Sequence, residues 1–378
     1  MEYSADYLII GSGFGGSVAA HRLTEKGYRV LVVERGRRFY SGEFPKTNWN
    51  IFNYLWLPPL SCYGFQAMTL LKNAFILHGA GVGGGSLVYA NNLLIPPEPV
   101  LSDPAWGHPD WAQRIQPYYE RAKSMLGATP SRHLTVADEI LRQVAEEEGA
   151  GDTFHTNDVG IYFGKPQTTT ADPYFAGRGP DRSGCTECGG CMTGCRENAK
   201  NTLDNNYLYL AEQSGARVLP DHRVSDLRPH PAGGYIISVS RVSGWSHPQR
   251  TFVAKGVIIS GGVMGTIKLL FQCKRSGSLP DISDQLGQRV RTNSEALVGI
   301  TADHYDEDYS KGIAITSGVY PDAETQIETV RYGSGHDLMS LLTTPMVDGH
   351  RFIPRPFLLV FTILRHPLRF LKALWPFG

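Results

Sequence analysis

Three glycines and one acid near the N-terminus carry the clearest chemistry in the sequence. Gly11, Gly13 and Gly16 form GxGxxG within DYLIIGSGFGGSVAAHRLTEKGYRVLVVERG, residues 6–36. At that spacing the first glycine allows a tight turn and the second lets backbone approach a pyrophosphate. The third lets a helix pack closely on a strand, with the helix N-terminus facing the phosphate charge. Glu34 follows at the separation where an acid accepts hydrogen bonds from an adenosine ribose and disfavours a 2′-phosphate. A dinucleotide site is predicted, with a structural glycine turn as the alternative. A second stretch, HGAGVGGGSLVYANN at 78–92, puts five glycines into the seven residues from Gly79 to Gly85. Such a run is entropically costly unless backbone lies directly against a ligand. A nicotinamide enzyme needs only the first loop, whereas two loops suit a larger cofactor whose isoalloxazine ring requires side-chain-free backbone on one face.

Positioning these residues requires strand, turn, helix and strand. Residues 7–10 are a short apolar run, 17–26 have helical spacing, and 29–33 are apolar and β-branched. The segment KGVIISGGVMGTIKLLFQC at 255–273 repeats the same grammar around Gly261 and Gly262. Strands are also predicted at 217–219, 235–241 and 251–259, and a helix at 202–213. Residues 101–149 read as packing helices with no assigned chemistry, and His108, His133 and His155 as surface or loop histidines. The aromatic and proline-rich residues 37–73 read as a lid or substrate-facing segment, or as a plain packed loop. Residues 291–299 lead out of the nucleotide domain, and Glu295 reads as a hydrogen-bonded structural acid.

The chain has 378 residues, and its 36 basic and 36 acidic side chains balance. That length suits two domains, and the neutral balance, without a basic patch, gives no reason to expect nucleic acid as a partner. No signal peptide is visible, which points to a cytoplasmic location. Cys185, Cys188, Cys191 and Cys195 form CxxCxxCxxxC, the spacing of a thiolate nest for an iron–sulfur cluster. Zinc, or packed thiols that pair only on oxidation, are the alternatives. The apolar run 357–364 is too short to span a bilayer. With Arg365, Arg369 and Lys372 beside Phe370, Leu371, Leu374 and Trp375, it could make an amphipathic helix in peripheral contact with membrane, or one buried against another domain.

GSGFGGS with VVERG, followed by GVGGGSLVYAN, resembles the glucose-methanol-choline (GMC) oxidoreductase family in its bacterial cholesterol-oxidase-like branch. The resemblance implies an α/β fold, a Rossmann-like FAD-binding domain with an interleaved α+β substrate (cap) domain. The FAD domain is expected at 1–36, 77–100 and 216–298, and the cap at 37–76, 101–215 and 299–378. It implies FAD held by Gly11, Gly13, Phe14, Gly15, Gly16, Glu34 and Arg35. Gly79, Gly83, Gly84, Ser86 and Asn91 would lie near the flavin, Val224 at the adenine, and Gly261 and Gly262 close to the cofactor. The implied reaction is oxidation of a sterol or other bulky apolar alcohol by hydride transfer to FAD, with oxygen or a redox protein as electron acceptor. Family members carry the catalytic histidine in an HPxGG-type motif, which this sequence lacks. His366-Pro367-Leu368 and His247-Pro248 only begin it. The general base is therefore expected beyond residue 378, and little turnover from this chain alone. An NAD-dependent dehydrogenase and a non-catalytic fragment remain as alternatives.

Overall fold

Strands buried on both faces read as near-continuous apolar runs; Val30–Val33 (β2) does so throughout, and Ala5–Ile10 (β1) does so after Asp6. They pair in parallel, Tyr7 opposite Val30 and Ile10 opposite Val33, and Phe14–Glu25 (α1) makes the crossover. In the computed structural model the described residues are 4–300, 306–343, 345–349 and 352–367.

Gln66–Leu70 (β3) and Phe75–Gly79 (β4) form a hairpin that delivers the chain into the second glycine-rich loop. Two helices follow, Trp111–Leu126 (α2) and Val136–Glu147 (α3), then a short strand, His155–Thr156 (β5). Tyr207–Gln213 (α4) and Arg217–Leu219 (β6) return the chain to the first sheet. His222–Pro229 (β7), Tyr235–Arg241 (β8), Gln249–Ile259 (β9) and the helix Gly262–Ser276 (α5) complete it. The strand order is β6-β2-β1-β9-β8-β7. The first four run parallel, and β8 and β7 continue antiparallel.

Because side chains alternate across a strand, the sheet builds two cores. Leu8, Ile10, Leu31 and Val33 pack with Val224, Ile237, Leu269 and Cys273 on the α5 face. Ile9, Val30 and Val32 pack with Ala20, Val82, Leu203, Leu208 and Ala211 on the face covered by α1 and α4. Residues 37–73 are packed structure: Phe39, Phe44, Tyr54 and Phe65 are buried and lie in one cluster with Leu87 of the second glycine loop. Their ring centroids stand 5.1 to 5.6 Å apart.

A three-stranded sheet joins β5 to Ile315–Val319 (β10) and Ile327–Val330 (β11), with β10 central. α3 is fixed to it by one buried carboxylate. Asp138 Oδ2 accepts from the Thr135 amide (2.8 Å) and hydroxyl (2.7 Å) in a capping box, and from Arg331 at 3.2 Å. Its Oδ1 accepts hydroxyl bonds from Thr316 and Ser317 on β10 and Thr329 on β11. His155 departs from the surface reading: it lies in β5, partly buried and stacked on Tyr320. Glu295 also departs, being exposed in an irregular stretch with no hydrogen bond among the described residues. The helix Arg355–Arg365 (α6) exposes Phe357, Val360, Phe361 and Leu364 along one stripe. Arg369, Phe370, Leu371, Lys372, Leu374 and Trp375 of the predicted amphipathic helix lie outside the described residues. Among the described residues no helix is long and apolar enough to cross a membrane.

Burial pushes the Asp138 carboxyl up, but the donors from Ser317, Thr316 and Thr135 outweigh it and hold the group at about 2. Because the folded value lies below the ordinary carboxylate value, this stabilisation is complete above pH ~4 and is lost as pH falls toward ~2. Asp138→Ala leaves Arg331 buried without its acid and is expected to lose about 3 kcal/mol in urea unfolding at pH 7. The difference between variant and wild type should narrow as pH is lowered through that window.

Candidate functional site

The first loop leaves β1 through Gly11, whose φ of +97° suits glycine, and enters α1 through Gly13. No side chain caps the N-terminus of α1 and its first turn carries no acid, so its leading N–H groups are available to an anion. A Cβ on Gly16 would stand 2.1 Å from the Gly11 carbonyl oxygen, which is the close helix–strand approach expected of the third glycine. Glu34 does more than the sequence suggests. Its Oε2 accepts from the Ser12 amide (3.0 Å) and hydroxyl (2.7 Å), and Oε1 accepts from the Gly36 amide at 2.9 Å. The Ser12 hydroxyl oxygen in turn accepts from the Gly83 amide at 3.1 Å. One carboxylate thus joins the first glycine loop to the second.

The two loops touch backbone to backbone. A Cβ on Gly84, where φ is +54°, would lie 2.7 Å from Gly13 Cα. Beside this seam runs a cleft of about 3750 Å³ lined by Gly11, Gly13, Phe14, Gly15, Glu34, Arg35, Gly79, Gly84, Val224, Gly261 and Gly262. Four predicted contact residues do not line it. Gly16 is pressed under the first loop, and Gly83 donates to Ser12. The Ser86 hydroxyl donates to the Gly83 carbonyl and accepts from Leu203 N, and the Asn91 amide donates to the Ile315 carbonyl. These side chains shape the wall from behind. Val224 lies on β7 next to a register shift, and Arg35 packs its guanidinium over Trp56 and beside His78.

The comparisons with known proteins agree with this geometry. A model described as "GMC oxidoreductase" matches residues 177–290, and one described as "NAD(P)-binding Rossmann-like domain" matches 9–54. A cholesterol oxidase of Acinetobacter baumannii is 45% identical over 383 residues, covering 98% of this chain and 69% of that protein. The chain belongs to the GMC oxidoreductase family. Within it the sequence falls in the bacterial cholesterol-oxidase-like branch. A cholesterol oxidase of Mycobacterium tuberculosis (strain ATCC 25618 / H37Rv) is 49% identical over 358 residues, 92% of this chain and 62% of that protein. This chain therefore spans 62% of that relative's length. A long-chain-alcohol oxidase of Arabidopsis thaliana is 28% identical over 227 residues, 58% of this chain and 26% of its own. GMC oxidoreductases are flavoproteins.

In this GMC chain the cysteine motif, read from its spacing as a thiolate nest, zinc ligands or packed thiols, shows no metal-holding group among the described residues. The four thiols are free and meet different surroundings. Cys191 is buried with Val159, Ile161, Ile313 and Ala314, Cys185 packs against that cluster, and Cys188 is exposed. Cys195 borders a separate hollow of about 180 Å³. Burial pushes the Cys185 thiol up, and Cys191 up to about 12, so both stay protonated at neutral pH. The glycines between them serve packing: a Cβ on Gly189 would meet the Ser310 carbonyl at 2.4 Å, and one on Gly194 the Phe44 ring at 2.1 Å.

Two buried cations beside the motif escaped the sequence reading. Lys200 Nζ donates to the carbonyls of Leu87 (3.2 Å), Tyr89 (2.6 Å) and Cys191 (2.7 Å), and lies 4.4 Å from the Tyr89 ring centre. Burial pulls its ammonium down to about 8. Arg182 donates to the carbonyls of Asn198 and Lys200 and to the Asn201 side chain. Lysine and arginine are common enough in loops that nothing in RENAKN marks Lys200 as the residue fastening the end of the second glycine loop.

The seam between the loops gives a direct test. Gly84→Ala places a methyl against Gly13 and is expected to lower stability by about 2 kcal/mol. Gly85→Ala, with no heavy atom within 4 Å of the new carbon, should stay within about 0.5 kcal/mol of wild type. Thermal melts of the two cofactor-free variants would check the contrast.

Proposed function

We propose that the chain binds FAD in this cleft and that the protein oxidises the CH–OH group of a sterol or another bulky secondary alcohol. The carrying observation is the cleft wall itself, where two glycine loops in backbone contact meet an uncapped helix N-terminus and a buried acid. The residues present fit the cofactor. The amides at the start of α1 would take the pyrophosphate, Gly13 leaves room for it, and Glu34 and Arg35 would take the ribose end, with the backbone at Val224 toward the adenine. Gly79, Gly84 and Gly85 would lie along the flavin end, held in place by Gly83, Ser86, Asn91 and Lys200. When bound, an oxidised flavin supplies a hydride acceptor for the alcohol carbon. The kinship with cholesterol oxidases supports a sterol as substrate and oxygen as electron acceptor. The apolar stripe on α6 supports peripheral contact with a membrane that would supply such a substrate.

Gly13 separates cofactor binding from folding. Its φ of −69° and ψ of −167° are open to alanine, and the added carbon would meet nothing within 4 Å. Gly13→Ala is expected to melt as wild type does, yet to retain less than about a tenth of the wild-type flavin after gel filtration, since the methyl occupies the space of the pyrophosphate. The check is the ratio of flavin to protein absorbance. Equal flavin in the two proteins, or none in wild type with added FAD, would overturn the assignment.

A further inference from the structure

Lys200 carries a buried charge one layer behind the cleft wall. It is 1% exposed, and its three N–H groups are spent on the main-chain carbonyls of Leu87, Tyr89 and Cys191. Among the described residues no ion pair includes it. Joining three carbonyls requires donors but no charge, and burying an ammonium is costly. The charge itself therefore calls for a role.

The carbonyls it holds belong to peptides whose other ends reach the cleft. The Leu87 carbonyl precedes Val88, that of Tyr89 precedes Ala90 and that of Cys191 precedes Met192, and these three following residues line the cleft with Tyr89. A trans peptide points its N–H away from its carbonyl, and no peptide bond described here is cis. The Gly85 carbonyl takes the Val88 N–H at 3.1 Å, whereas the Ala90 N–H has no acceptor among the described residues. Lys200 thus turns the peptide between Tyr89 and Ala90 so that its free donor points away from the ammonium. The ammonium also lies over the Tyr89 ring, which meets Phe14 of the first loop edge-on at 6.1 Å.

The neighbours of Lys200 leave its charge largely uncompensated. The titratable and charged groups that face it are Tyr89 of the second loop, Cys191 and Cys195 of the cysteine segment, and Asp204 of the turn that follows. Arg182 donates to the Lys200 carbonyl. Burial pushes the Tyr89 hydroxyl and the Cys191 thiol up, which keeps both neutral, and pushes the Asp204 carboxyl up toward its neutral form. A charge in such low-dielectric surroundings acts over a longer range than one in water.

We propose that Lys200 is a positioning residue for the flavin end of the cleft, holding the peptide between Tyr89 and Ala90 and favouring through its charge the reduced form of the flavin. The inference rests on reading the cleft as an FAD site. Reduction of the ring by a hydride, or by two electrons and one proton, adds one negative charge, and a fixed cation stabilises that charge. Lys200 gives up no proton in the step.

The midpoint potential of the FAD-loaded chain tests this without turnover. The flavin is reduced in equilibrium with a redox dye, and its absorption bands are read at pH 7 and pH 9.5. Lys200→Gln keeps N–H donors and removes the charge, Lys200→Met is a second neutral variant, and Lys200→Arg stays charged at both pH values. At pH 7 the neutral variants are expected to favour the oxidised flavin about tenfold more than wild type, a potential about 30 mV lower for a two-electron couple. Lys200→Arg should stay within about threefold of wild type. Burial brings the Lys200 ammonium down to about 8, so the charge is present at pH 7 and lost by pH 9.5. Wild type should then fall about fivefold below Lys200→Arg at the higher pH. A neutral variant that holds flavin at the wild-type potential overturns the role of Lys200 and leaves the flavin assignment standing. Where neither neutral variant folds, wild type and Lys200→Arg decide, and potentials that keep in step from pH 7 to pH 9.5 overturn the role. Failure of wild type to load flavin overturns both.

Discussion

The carboxylate of Glu34 is the point on which the nucleotide end depends. One of its oxygens is committed to the amide and hydroxyl of Ser12 in the first glycine loop and the other to the Gly36 amide, and through Ser12 it reaches Gly83 of a loop far away in sequence. Such bonds matter because the loops have few side chains of their own to lock them. Glycine-rich backbone carries a large entropic penalty on ordering, and a buried acid that accepts three donors offsets part of it. With Glu34 in place, Gly84 can rest against Gly13 and the two loops act as one wall. Lys200 fastens the far end of that wall from behind, so both ends of the second loop are tied to buried charges.

Two acids at the neighbouring sheet, Asp138 on α3 and Glu328 on β11, show how surroundings divide chemically equal groups. Asp138 has six donors, an arginine among them, and serves as a rivet between α3 and two strands. Glu328, which lines the cleft, has neutral amide donors on one oxygen and no arginine. Environments that push two carboxyls apart are a recurring source of division between structural and chemical roles.

Much of the nucleotide half was legible because its signals are local. The strand, glycine turn, helix and strand of residues 5–33 follow from periodicity and glycine spacing alone, and the same grammar recurs at 249–276. Cysteine spacing, by contrast, reports how far apart thiols are along the chain and says nothing of the direction in which each points. Gly189 and Gly194 take left-handed or otherwise positive-φ backbone within that segment, and no spacing rule predicts the surroundings that each thiol then meets. Asp138 was hidden inside an amphipathic helix, where an acid in the first turn is ordinary. Glu328 and His155 become neighbours only through the register of β5, β10 and β11, and no pattern within one segment encodes such a pairing.

The order of the main sheet has a consequence for how the chain is made. β1 and β2 emerge first and pair with each other, yet the strands that flank them, β6 and β9, begin only at Arg217 and Gln249. Until those segments leave the ribosome, the most apolar ribbon of the protein has two open edges, and the acid at its end has only part of its final company. Sheets closed by such distant segments form slowly, and open apolar edges invite pairing with the wrong chain. Efficient production of this protein thus depends on the nascent N-terminal ribbon being shielded until the middle of the chain arrives.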